Sequence, residues 1–98
     1  MHVALHQNGL TLVRCYGELS LEELARVAAA AARARAEGRM AVVDLGRVTH
    51  LHYAGARLLA DVPGLRAAGA SRYVRDLLRA GAGAVDLYRD VGEAFGAA

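Results

Sequence analysis

Met40-Ala41-Val42-Val43-Asp44-Leu45 is the stretch on which the fold turns. It is apolar and does not alternate until Asp44. A strand with one wet face alternates between apolar and polar side chains. A run without alternation is covered on both faces, as the strands of parallel sheets are. Immediately before it the sequence predicts a helix. Ser20 reads as its N-cap, and Glu23, three residues on, completes a capping box. The helix is expected to run to about Glu37 and to stop at Gly38. Its apolar stripe, Leu24, Val27, Ala28 and Ala31, is mostly small, so the helix should approach a sheet closely. Glu22 and Arg26 are spaced to pair on its outer side.

Working outward from this unit, His2 to Gln7 alternates, with Val3 and Leu5 on one face and His2, Ala4 and His6 on the other. Asn8-Gly9 follows, a strong hairpin signal because both residues tolerate positive φ. A second strand is predicted from Leu10 to Tyr16, ending at Gly17. Strand, helix and strand in this order make a right-handed crossover if the two strands lie parallel in one sheet. Downstream, a short helix is expected from near Ala54 to Asp61, carrying Leu58 and Leu59 and broken by Pro63-Gly64. Leu65 to Ala70 fits a short strand or a helix end equally well. Ser71 reads as the cap of a helix with Tyr73, Val74, Leu77 and Leu78 on one side, closed by Gly81, with Gly81-Ala82-Gly83 as its turn. A last strand is predicted over Ala84 to Tyr88, and a short terminal helix over Val91 to Phe95. The class is α/β: a mixed sheet of four to five strands with an N-terminal hairpin and helices packed mostly on one face.

Length and composition agree. The 98 residues make one small domain. A hydrophobic share of 55% with 22% charged residues excludes a disordered tail. No apolar run approaches the roughly 20 residues of a membrane span, so no membrane insertion is expected. Met1 to Gln7 lacks the basic and long apolar segments of a secretory signal. The single cysteine, Cys15, fits a reducing compartment, so the expected location is cytoplasmic. The twelve basic residues are all arginine, scattered among ten acids, and the net charge is only +2. With four tyrosines, one phenylalanine and no tryptophan, the chain offers neither a basic run nor a stacking platform, which argues against nucleic acid.

Taken in order, four segments resemble a family. They are Gly17-Glu18-Leu19, Ala41 to Val48, Leu51 to Leu59 (Leu-His-Tyr-Ala-Gly-Ala-Arg-Leu-Leu) and Tyr88 to Ala94 (Tyr-Arg-Asp-Val-Gly-Glu-Ala). Together they resemble the STAS domain, the small α/β module of anti-sigma-factor antagonists and sulfate-transporter tails, over nearly the whole chain. Phosphoswitch members carry Asp-Ser-Ser-Gly or Asp-Ser-Thr-Gly after the central strand, and a partner kinase phosphorylates the first hydroxyl. Here the matching residues are His52, Tyr53, Ala54 and Gly55. The glycine is kept; the acid and both aliphatic hydroxyls are not. The resemblance therefore implies a module without the usual phosphoswitch. It also implies that residues 55–71 are about ten short for the family.

The loop from Thr49 to Gly55 is the best candidate site on physical grounds. It follows the carboxyl end of a buried parallel strand, where open α/β sheets bind ligands, and it leads into a helix N-terminus. The expected partner-binding residues are Thr49, His50, His52, Tyr53, Ala54, Gly55 and Ala56. His50 and His52, two apart, would share one side of an extended chain. A pair of imidazoles can ligate a metal, but no third ligand is evident, and neither a metal nor another cofactor is expected. Asp44 reads as a carboxylate hydrogen-bonded to backbone; the resemblance implies an acid that helps to fix the loop. Cys15 shares a face with Val13 and Thr11 and reads as a small core residue. Ser20 and Ser71 read as caps, and no enzyme motif is present.

The sequence thus points to a non-enzymatic interaction module of the anti-sigma-factor-antagonist type. The resemblance implies a protein partner, a kinase-type anti-sigma factor or another STAS domain, with self-association as a variant. One alternative is a cytoplasmic STAS subunit of a lipid-transporting ABC system. An alternative of another class is a small metal- or ligand-binding protein using His50 and His52.

Overall fold

The computed structural model describes residues 1–81 and 85–97. Strands β1 (His2–Gln7) and β2 (Leu10–Leu19) form the hairpin, followed by α1 (Leu21–Ala36) and the long β3 (Met40–Leu51). A 3-10 turn (Tyr53–Gly55) leads into α2 (Ala56–Ala60), β4 (Arg66–Ala68), α3 (Arg72–Gly81), β5 (Asp86–Tyr88) and α4 (Val91–Gly96). The five strands form one sheet in chain order; β1 and β2 are antiparallel and every later pair is parallel. Helices α1, α2 and α3 lie on one face and α4 alone on the other.

The unbroken apolar run in β3 has the expected cause. Ala41, Val43 and Leu45 turn to the three-helix face, and Val42 turns to α4. All four lose their entire exposed surface. On α1 the stripe Leu24, Val27, Ala28, Ala31 and Ala34 is buried against them. At its start, the Glu23 amide donates to Ser20 Oγ at 3.1 Å. The reciprocal half of the expected capping box is absent, because the Glu23 carboxylate accepts instead from His2 Nδ1 at 2.7 Å and from Arg26 at 3.1 Å. At its end the Gly38 amide reaches Arg35 O at 3.0 Å and the Arg39 amide reaches Ala34 O at 2.9 Å. This is a Schellman closure, with Gly38 at φ 78°.

The single helix on the far face is too short to stand alone. It is tied down at both ends. Asp90 accepts the Glu93 amide at 2.8 Å. Arg66, from β4, donates through Nη1 to Ala94 O at 2.6 Å and Ala97 O at 2.9 Å. Beneath it Ala94 packs on Val42 and Ala68.

Several boundaries move. Gly17 does not end β2; it lies within it at φ 71°, and the strand continues to Leu19. β3 continues six residues past Leu45, so Thr49, His50 and Leu51 are strand rather than loop. The ambiguous Leu65–Ala70 segment contains the strand β4. The last strand is confined to Asp86–Tyr88; Ala84, like Ala82 and Gly83 of the expected turn, lies outside the described residues. Val3 and Leu5 sit on the α4 face, and both stay exposed. Tyr73, expected with the apolar side of α3, is exposed. Among the described residues no helix is long and apolar enough to cross a membrane.

Asn8 and Gly9 both have positive φ, 49° and 76°, as a type I′ turn requires. A Cβ at Gly9 would meet nothing within 4 Å, so conformation alone decides the outcome. Gly9→Val is expected to lose about 1 kcal/mol or more in chemical denaturation, and an unchanged midpoint would contradict this. The His2 hydrogen bond, seconded by Arg26 against the opposing effect of burial, holds the Glu23 carboxyl down at about 2 from an ordinary 4.5. A lowered folded-state pKa contributes stability above the unfolded value and loses it as pH falls through the folded one. The melting-temperature gap between wild type and Glu23→Gln should therefore be present near neutral pH and close between about pH 4.5 and 2. A gap independent of pH would contradict the assignment.

Candidate functional site

The end of β3 is irregular. Arg14 pairs with Asp44 but Tyr16 with Arg47, and Gly17 pairs with Val48 but Glu18 with His50. Each slip sets an additional β3 residue against β2, a bulge that re-aims the side chains after it. The buried residues consequently fall three apart, Leu45, Val48 and Leu51, and Thr49 and His50 are pushed to the surface between them. The His52 amide donates to Leu19 O at 3.0 Å and closes the strand.

Beyond this point the chain folds back tightly. His52 caps the 3-10 turn by accepting the Ala54 amide on Nδ1 at 3.2 Å. In the neutral imidazole that leaves Nε2 as an outward N–H donor. The His52 and Tyr53 rings stack at 5.8 Å and 12°. His50 turns instead to α3, with its Nδ1 2.7 Å from the Tyr73 hydroxyl and the rings 5.7 Å apart. The two histidines thus serve different partners. Among the described residues no group of three or more His, Cys, Asp or Glu converges.

Gly55 and Ala56, counted on sequence among the contact residues, are buried, and Ala56 has no exposed surface. Their work is structural. A Cβ on Gly55 would lie 2.6 Å from Leu24 Cδ1 and 3.1 Å from Leu21 Cδ1, so the glycine lets the turn sit on α1. On the opposite side Gly81 of α3 lies against the Tyr53 carbonyl oxygen, and a Cβ there would also come within 2.9 Å of Ala56 Cβ. The turn is clamped between two helices. Its outer side presents Thr49, His50, His52, Tyr53 and Ala54, with Arg57 next to them on α2. Three exposed large apolar side chains, Leu21, Tyr53 and Tyr73, stand at this same end of the sheet.

Asp44 does not reach this surface. It faces the α4 side, accepts the Gly46 amide at 3.0 Å and stands 3.6 Å from Arg14 Nε. The acid fixes β3's own bend. Cys15, fully enclosed beside Val13, has its thiol pushed up by burial to about 12 and so carries no thiolate at neutral pH. Tyr73 is the site residue that sequence reasoning missed. Its signal was a large aromatic in the first turn of an amphipathic helix, which reads as core unless its partner His50 is known to project from a strand.

No family model and no curated protein matches the sequence. Solved structures do match. The anti-sigma factor antagonist SpoIIAA in its unphosphorylated form superposes with a TM-score of 0.65 at 15% identity, over 95% of this chain and 92% of that one. The chain has the SpoIIAA fold. The Bacillus cell fate determinant SpoIIAA in its phosphorylated form gives 0.61 at 17% identity, over 97% and 96% of the two chains. A structure of Mglu gives 0.54 at 21% identity, over 87% of this chain but 18% of that one. The STAS-type architecture implied by the sequence is therefore the one observed, a mixed five-stranded sheet with four α-helices.

The clamp gives a test whose sign is informative. In an exposed helix interior Gly→Ala stabilises by up to about 1 kcal/mol. At Gly81 the added methyl runs into backbone, which cannot step aside as a flexible side chain can. Gly81→Ala is expected to destabilise by about 1–3 kcal/mol in chemical denaturation. A stabilised variant would show that α3 does not close on Tyr53.

Proposed function

We propose that this chain is a non-enzymatic protein-interaction module of the anti-sigma-factor-antagonist type that binds through Thr49, His50, His52, Tyr53 and Ala54. The observation that carries the reading is the exposed His–Tyr surface on a rigid base, at one end of a SpoIIAA-like sheet. Exposed aromatics on a fixed platform suit recognition, because little side-chain freedom is lost on binding. The partner we favour is a kinase-type anti-sigma factor or another STAS domain; SpoIIAA, whose fold this chain has, is named an anti-sigma factor antagonist, which supports the first. Gly55 and Ala56 belong to the site as its support and not as its contacts.

We further propose that binding is not switched by phosphorylation of this turn. A kinase that receives a short serine meets at Tyr53 a phenol, and at Ala54 no hydroxyl at all. Thr49 is the one aliphatic hydroxyl in the segment, and it lies on β3, four residues before Tyr53.

Both parts are open to direct test. Ala54 is exposed. Ala54→Glu should therefore change stability by no more than about 0.5 kcal/mol. In an interface core the same charge costs several kcal/mol. Immobilised wild type, Ala54→Glu and Arg33→Glu are each exposed to extract of the source cells. Wild type and Arg33→Glu should retain the same anti-sigma factor or STAS protein, and Ala54→Glu should lose it. Retention by Ala54→Glu with loss by Arg33→Glu would move the working surface to α1. After incubation with ATP and extract, the intact mass should show no phosphate within residues 49–55; one mapped there would overturn the second part.

A further inference from the structure

At the β5 edge, away from the His–Tyr surface, a cavity of about 390 Å³ opens between α3 and the start of α4. That volume lies within the range of about 300–1,000 Å³ typical of small-molecule sites. Three arginines line it, Arg75 and Arg79 from one side of α3 and Arg89 from the turn after β5, with Glu93 as the one carboxylate among the described residues. Glu93 is already engaged: it takes Arg89 Nε at 3.0 Å and the Arg89 amide at 3.4 Å. Arg75 and Arg79 have no carboxylate partner among the described residues. The Nε of Arg75 is moreover buried without any hydrogen-bond partner there. Native proteins rarely leave a buried donor unsatisfied, and such a group calls for an unseen acceptor. Leu87 and Tyr88 supply an apolar wall beside the cationic one.

We propose that this cavity is a binding site for the phosphate group of a small-molecule phosphoester. The guanidinium groups of Arg75 and Arg79, one helical turn apart, would grip the phosphate. Arg89 would stand at the rim, and the organic part of the ligand would lie against Leu87 and Tyr88. Arginine forks match phosphate oxygens two at a time. Two guanidinium groups without a carboxylate partner among the described residues also balance the charge of about −1.5 to −2 that a phosphomonoester carries at pH 7. A singly charged carboxylate would leave one of them unneutralised.

The test follows the arginine Nε–Hε signals of the full ¹⁵N-labelled chain by NMR during titration with inorganic phosphate and with glycerol 3-phosphate, at constant chloride. Saturable shifts confined to Arg75, Arg79 and Arg89 are expected with both probes. The Kd for glycerol 3-phosphate should rise about ten-fold or more in Arg75→Gln and in Arg79→Gln, and stay unchanged in Arg33→Gln. Melting curves establish that each variant is folded. Arg79 is exposed, so Arg79→Gln carries the test by itself if Arg75→Gln fails to fold. Shifts that do not saturate, or a Kd untouched by Arg79→Gln, would overturn the proposal. Binding of a phosphoserine peptide in this cavity with neither small probe binding would overturn it in favour of a protein ligand.

Discussion

Val42 and Val43 point in opposite directions from adjacent positions in β3, and neither touches water. Burying a valine contributes roughly 1.5–3 kcal/mol, so both faces of the sheet have to be covered for the pair to count. That demand organises the molecule. The helical stripe of α1 is small enough to come close over Val43. On the other side six residues of α4 must do what three helices do opposite. They manage it because Arg66 reaches across from β4 to hold the helix's last carbonyls, and because Ala94 sits directly on Val42 and Ala68. The cover is incomplete, and Val3 and Leu5 on β1 stay exposed.

Where a local signal had one physical meaning, the fold was legible in the sequence. Asn8-Gly9 required a hairpin, Ser20 and Gly38 bracketed α1, and the run from Met40 to Leu45 required a strand with two covered faces. Strand period two and helix period 3.6 were enough to find these elements. They failed at the end of β3, where Leu45, Val48 and Leu51 are spaced by three. Two bulges produce that spacing, and no single period describes it. The segment consequently read as a loop from Thr49 onward. The candidate site was legible to the same degree. The sequence singled out the polar residues at the end of β3, which the structure leaves exposed, but not the inward turn of Gly55 and Ala56. Close packing against Leu24 and Gly81 depends on residues some thirty positions away on either side. Tyr73 was misplaced for the corresponding reason, since its partner His50 lies on another element.

Helix α3 joins the two proposed sites. Its first turn offers Tyr73 to His50, and its last residue, Gly81, closes on the Tyr53 carbonyl. Between these contacts, Arg75 and Arg79 line the cavity at the β5 edge. One ten-residue helix therefore clamps the proposed recognition surface and lines the proposed phosphate site. The proposed contact residues, Thr49, His50, His52, Tyr53 and Ala54, include no carboxylate and no aliphatic hydroxyl beyond Thr49. The chemistry they offer is that of imidazole, phenol and apolar contact, with the Arg57 guanidinium beside them.

The His–Tyr surface depends on residues 49–51 being held as strand and not as loop. Native-state hydrogen exchange at the His52 amide, which donates to Leu19 O at the very end of β3, measures this directly. With Leu51 fully buried beside it, the amide should exchange at least about 100-fold more slowly than in an unstructured peptide. Exchange at the unstructured rate, with the amides of Val42 and Val43 still protected, would show that β3 ends early and that the His–Tyr surface has no rigid base.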